Sequence, residues 1–531
     1  SKRYITRWRL EPKDEEAFKR GELVEPKKQI VYYIDPATPE KWRKYLKQGI
    51  DDWEVAFRAA GFKNAIVAKD PPTKEEDPDW SPEDVRNSVL RYTANPIQNA
   101  MGPHVHDPRS GEIIESDIIW YHNVMNLLRN WFFIQTAAVN EDARKVKFDD
   151  ELMGQLIRFV SAHEVGHTLG FPHNMGASFA YPTDSLRSKS FTERMGTAPS
   201  IMDYARFNYI AQPGDDAALF PAIGVYDKWV VKWGYTPILK ANSSEEEKSV
   251  LNEWIKSHEG DPLYWYGKQT GNPIDPRGQT EDLGNDAMKS GSYGIANLKR
   301  IVPELMGWIK KDGENFDDLS ELYSNAIAQW SRYGGHVKSN IGGVYETYKT
   351  YDQQGNVYEY VPKETQKSAM TWLQMVIFST PSWLIEEEIL NKVDGTSGLN
   401  QISRVQARVL NDLLNSERLT RMIEAETLQG SKTYTALEML RELRTGIWSE
   451  LAGGKKIDTY RRELQRAYLE KLSVLMADKN NSLSDVKPMI RAELKTLKSQ
   501  IPGGISRTSD RLSKYHLEDA LARIELILDP K

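Results

Sequence analysis

The chain has 531 residues, enough for two to four domains with a large core, and its net charge of −6 disfavours a nucleic-acid partner. It has no cysteine, which excludes disulfides, thiolate metal ligands and latency by a thiolate on a metal, and leaves a histidine site as the only strong metal candidate. No apolar run approaches the length needed to cross a membrane.

Ser1-Lys2-Arg3-Tyr4 does not read as a signal peptide but as the start of an internal fragment, so any targeting segment or propeptide is expected outside the chain. Residues 28–35 read as a β-strand, rich in branched and aromatic side chains and stopped at Pro36. Residues 38–60 read as one helix. Thr38 is placed to cap it, Gly61 ends it, and Trp42, Leu46, Ile50, Trp53 and Phe57 mark its buried face. Further strands are expected at 65–68 and 88–92. The turn from Asp107 to Gly111 leads into a stretch of alternating apolar character, 112–121. His104, His106 and His122 flank that stretch. Lacking helix or hairpin spacing, they read as surface groups rather than as a second metal site.

Residues 149–169 look helical, with Leu152, Leu156, Phe159, Val160 and Val165 as an apolar stripe and Asp149 or Asp150 as cap. The helix runs into His163-Glu164-Val165-Gly166-His167-Thr168-Leu169-Gly170-Phe171-Pro172-His173, which holds three of the nine histidines. His163 and His167 are four apart and share a face, so both imidazoles can grip one metal. Glu164 lies roughly 100° further round, beside the metal, where it can take a proton from water rather than ligate. Gly170 ends the helix by adopting left-handed backbone angles, and His173 arrives from beyond it as third ligand. Three protein ligands leave a position open, the catalytic rather than the structural arrangement of zinc.

Downstream lies Ser200-Ile201-Met202-Asp203-Tyr204. With the long histidine motif, it resembles the metzincin clan of zinc endopeptidases, in which a later methionine forms an apolar floor beneath the ligands. The resemblance implies that Met202 is that methionine. In astacin-like and serralysin-like members a tyrosine two positions on approaches the metal or stabilises the oxyanion, and Tyr204 matches it; an ordinary buried tyrosine is the competing reading. Asn174 departs from the pattern, because astacins carry glutamate there and several other metzincins aspartate. The chain is most similar to large zinc-dependent metalloproteases of Gram-negative bacteria. The segments that carry this are Tyr4 to Leu10, the histidine motif, Ser200 to Tyr204, Tyr226-Asp227-Lys228-Trp229 and Trp233-Gly234-Tyr235. The resemblance implies an α+β fold, with a twisted mixed sheet, the zinc helix and the methionine turn, followed by a mostly α-helical domain. It also implies an exposed edge strand before the zinc helix, for which residues 113–120 are the candidate, and an extracytoplasmic location: periplasmic, surface-anchored or secreted.

Composition shifts near residue 241, where Ser244 and Glu247 suggest a capping box. A catalytic domain with an N-terminal extension is therefore expected over 1–240, and a mainly helical accessory domain over 241–531. The latter includes a long loop at 259–293, expected to be ordered and packed near the cleft. Helical periodicity dominates beyond 294, as in Ile402, Val405, Val409 and Leu413, or Leu517, Leu521, Ile524 and Leu528. One hairpin is expected around Asp352 to Asn356. The function expected is hydrolysis of internal peptide bonds by zinc-activated water with Glu164 as general base, and the partner a protein or peptide substrate. The alternatives are a retired protease fold serving as a binding protein or adhesin, and a zinc amidase on non-peptide substrates.

Overall fold

The computed structural model describes residues 4–271 and 273–530; the fragment-start reading of Ser1 to Arg3 falls outside them. The chain forms two compact units, one from the chain up to Gly271 with Arg277–Asp286, the other from the remainder. Residues 241–271, grouped by composition with the helical region, therefore belong to the first unit.

The first unit is built on strands β1 (Ile30–Ile34), β2 (Ile66–Lys69), β3 (Ser88–Thr93), β4 (Ala100–Met101) and β7 (Ile118–Tyr121), in the order β2-β1-β3-β7-β4. All neighbours are parallel except β4, which runs antiparallel to β7. Alternation fixes the register: Ile30, Tyr32 and Ile34 of β1 are buried while Val31 and Tyr33 between them are not. A separate hairpin joins β5 (Val105–His106) to β6 (Ile113–Glu115).

Three stretches depart from expectation. The stretch 112–121 is two strands, not one, because Asp117 turns aside to accept the Val89 N–H (2.8 Å) and to pair with Arg91 (2.8 Å). Its second half, β7, lies inside the sheet, so the edge is not residues 113–120 but the two-residue β4. The helix read over 38–60 is interrupted into Glu40–Asp51 and Glu54–Ala59. The Thr38 hydroxyl finds no partner, since its N–H closes a turn onto Asp35 O (2.9 Å) before the helix begins. At the start of helix Ser244–Lys256, the cap is Ser243 rather than Ser244, with Glu246 accepting the Asn242 N–H (2.8 Å).

The helix that runs into the histidine motif, Asp150–Thr168, starts where Asp149 accepts the Leu152 N–H (2.9 Å). It packs on helix Glu40–Asp51 through two glycines. A Cβ on Gly154 would sit 2.1 Å from the Tyr45 ring, and one on Gly49 2.5 Å from Ser161 Cβ, so the helices approach closer than any side chain would permit. The helix ends on a left-handed Gly170 (φ 93°). Its last carbonyls are satisfied from outside: Trp8 Nε1 donates to Thr168 O (3.0 Å) and the Tyr235 hydroxyl to Leu169 O (2.8 Å). The N-terminal segment from Tyr4 and the Trp233-Gly234-Tyr235 run thus have a shared structural task.

The second unit is helical, from Ala287–Ile309 to Arg511–Leu528, with the expected hairpin at Val344–Glu346 and Tyr358–Tyr360. In its core, His516 stacks on Trp448 (12° between planes) and donates from Nε2 to Gln465 Oε1 (2.8 Å), while Nδ1 lacks a partner. Burial, reinforced by Arg466 and Arg462, holds its pKa down at about 4. The unfolded chain takes up this proton near pH 6.5 and the folded chain only near 4, so stability falls as pH drops between those values, by up to roughly 3 kcal/mol. The variant His516→Gln is expected to flatten that part of a melting-temperature-against-pH curve; an unchanged slope would contradict the assignment.

Candidate metal centre

The three histidines of the motif converge. His167 Nε2 and His163 Nε2 lie 3.1 Å and 3.2 Å from His173 Nε2. Each ring is turned by its other nitrogen. His163 Nδ1 meets Ile201 O (2.7 Å), His167 Nδ1 meets Phe171 O (2.9 Å) and His173 Nδ1 meets Gln269 Oε1 (2.7 Å). A carbonyl oxygen only accepts, so each Nδ1 carries the proton and each Nε2 presents a lone pair. Three lone pairs facing one another without a donor are satisfied by a cation. Tetrahedral zinc at about 2.0–2.1 Å would separate its nitrogen ligands by roughly 3.3 Å, close to the observed spacing. The residues present therefore fit zinc, and they are the only such ligand group among the described residues. Burial pushes the pKa of all three histidines down, His163 well below its ordinary value and His167 to about 4. All three stay neutral and able to ligate at neutral pH.

Glu164 is 7% exposed and lies on the adjacent flank of the helix. Burial raises its pKa to about 7, against the opposing pull of the Gly102 N–H and the Arg206 charge. Gly102 directly follows edge strand β4. A Cβ there would lie 2.3 Å from Glu164 O, so only glycine lets the edge come this close. Nothing in the sequence pattern marks Gly102 beyond its place after a short apolar pair.

Met202 is buried against the helix turn between the two helical histidines, where Gly166 makes room for it: a Cβ on Gly166 would lie 2.1 Å from Met202 Sδ. The turn carrying Met202 hangs on Asp227, whose carboxylate accepts from Ser200 Oγ (2.6 Å), Ile201 N (2.8 Å) and Gly224 N (2.8 Å). Because Ile201 O holds His163, Asp227 acts on the first histidine through a single residue. Tyr204 stacks on His163 (28°, centroids 5.1 Å apart) and lies 4.2 Å from the His173 ring. Burial raises its pKa. The Arg206 guanidinium lies over the Tyr204 ring (4.4 Å) and over the Trp131 ring (3.5 Å), and pairs with Glu281 (3.3 Å). Arg206 belongs to no sequence motif, and its positive φ of 56° has no signature in the sequence.

Asn174 is buried, and its departure from an acid has a physical reason. Its Nδ2 donates to Trp265 O (3.0 Å) while its Oδ1 accepts from Gly267 N (2.8 Å). A carboxylate could not make the first bond. Residues 265–269, part of the long loop, thus run beside the third histidine. His104, His106 and His122 do not join the centre. His104 bonds the backbone at His167, and His122 meets the Tyr92 hydroxyl.

Two histidines on a glycine-terminated helix, a third just beyond it and a later methionine turn are the combination that sets metzincin zinc metalloproteases apart. The chain belongs to the Met-zincin family, whose model matches residues 145–454, more than half of its length. At the level of the family, this makes it a zinc metalloprotease with peptide substrates. No curated protein and no solved structure matches it.

Asp227→Ala would leave Ser200 Oγ and two backbone N–H groups buried without their acceptor, at a cost of about 2–4 kcal/mol. Thermal denaturation is expected to show that loss, with reduced zinc content in the purified protein. Wild-type values for both would contradict Asp227 as the support of the turn.

Proposed function

We propose that the protein is a zinc-dependent endopeptidase in which His163, His167 and His173 hold the metal through Nε2 and Glu164 is the general base. The observation that carries the reading is the buried Glu164 carboxylate beside three donor-free Nε2 atoms. When bound, zinc supplies Lewis acidity, bringing the pKa of water at its open position toward 7 and polarising the scissile carbonyl.

Glu164 then accepts the proton of the attacking water on a carboxylate oxygen and delivers it to the departing amine nitrogen. A carboxyl pKa lifted toward neutrality suits both halves of that exchange, since the group must accept and release a proton at similar pH. The Tyr204 ring packs against two of the histidines and stays protonated at neutral pH, so its hydroxyl can donate to a developing oxyanion. Met202 keeps the floor of the site apolar and dry.

Substrate recognition is assigned to β4. Among the described residues it pairs only with β7, which leaves its outer N–H and C=O groups to an extended peptide, and Met101 is exposed there. The adjoining Gly102 touches Glu164, so a strand added along this edge runs past the general base. Binding along an edge engages the middle of a chain, which favours internal over terminal cleavage. The same reading includes an extracytoplasmic location. No described helix is long and apolar enough to cross a membrane.

Glu164→Gln is expected to retain zinc and lose about 10²–10⁴-fold in turnover, measured as digestion of casein or a peptide library with and without chelator. Full activity in that variant would refute the mechanism. Zinc-dependent cleavage of small amides with peptides left intact would point to an amidase instead.

A further inference from the structure

We infer that Gln269 is a positioning residue of the metal centre, fixing the tautomer and direction of His173 from a strand-like strap nearly a hundred residues downstream. The inference rests on the zinc reading above. Two of the three imidazoles are steered by backbone carbonyls, Ile201 O and Phe171 O, which no substitution at those positions removes. The third is steered by a side chain, the Gln269 amide, 2.7 Å from His173 Nδ1. His173 also stands outside the helix that fixes the other two rings, so it depends most on an external hold.

The strap is locked to the residue next to the ligand itself. Asn174 forms an antiparallel bridge with Lys268, and its side chain grips Trp265 O and Gly267 N. The Met175 N–H donates to Gly267 O (2.8 Å). Two glycines let the segments interlock. A Cβ on Gly176 would lie 2.0 Å from the Trp265 ring, and one on Gly267 2.6 Å from Gly176 N. The Arg277 guanidinium, 4.2 Å from the Trp265 ring, covers the same indole. The backbone that carries Gln269 is therefore anchored within a few residues of the ligand.

The amide also has two possible senses. With its oxygen toward Nδ1 it accepts the ring proton and leaves Nε2 free for the metal. Flipped, its NH₂ would donate to Nδ1 and drive the proton onto Nε2, where it blocks the site. Zinc selects the first sense. A glutamate at 269 offers only acceptors and preserves it, whereas a leucine of similar size removes it.

The test is zinc affinity by chelator competition, with the visible spectrum of the cobalt-substituted protein as a second readout. Gln269→Leu is expected to bind zinc about 10–100-fold more weakly and to show an altered cobalt spectrum. Gln269→Glu is expected to restore both, and the metal-free Gln269→Leu protein to melt as the wild type does. Wild-type affinity and spectrum in Gln269→Leu would overturn the inference while leaving the zinc reading intact, as would equal weakening in both variants. A wild-type chain that takes up no zinc would overturn the metalloprotease reading and this inference with it.

Discussion

Three converging imidazole lone pairs, with His173 Nε2 3.2 Å from that of His163 and 3.1 Å from that of His167, form an arrangement that a protein cannot hold cheaply. Each nitrogen wants a donor and finds another acceptor. Such a cluster persists only if every ring is pinned from behind, and here each Nδ1 proton is engaged. Much of the first unit serves that constraint. The methionine turn offers Ile201 O, the helix exit offers Phe171 O, and the strap offers Gln269.

The elements around the active-site helix follow from the same demand for a fixed frame. Glycines at positions 49, 154 and 166 bring a neighbouring helix and Met202 against it without intervening side chains. Its C-terminal carbonyls, which a helix leaves unpaired, are met by Trp8 and Tyr235 from opposite ends of the unit. Tyr32 of β1 adds a buried bond to Thr168 Oγ1 (2.6 Å), tying the sheet to the last helical turn. Asp227 holds the methionine turn through three hydrogen bonds. The histidine positions are thus set by sheet, N-terminal segment, methionine turn and strap together.

Legibility in the sequence tracked the range of each interaction. The helix, His163, His167 and Glu164 are legible because spacing along one helix determines which side chains meet, and His173 because the glycine exit returns the chain within a few residues. Met202 and Tyr204 were readable because a short motif announces the turn. Strands β1 to β3 were readable from branched and aromatic runs. The edge is not legible because β4 is two residues long and carries no alternation, while of the more apolar stretch that follows it β6 joins a separate hairpin and β7 lies inside the sheet. The helix over 38–60 was read as continuous because the demand that interrupts it is tertiary: at the break, Asp52 pairs with Arg158 and the Trp53 indole reaches Ala162 O (2.8 Å). Gln269, Arg206 and Gly102 escaped notice for a related reason. Each acts on a partner more than sixty residues away, and no periodicity encodes a contact at that range. Asn174 departs from the motif because both of its partners, Trp265 O and Gly267 N, lie about ninety residues away.

Zinc K-edge X-ray absorption on the purified protein tests the central claim most directly. The account predicts one tightly held zinc per chain, with three imidazole nitrogens at about 2.0–2.1 Å and a further oxygen. Fewer than three imidazoles around the metal, or no zinc retained by a folded chain, would contradict it.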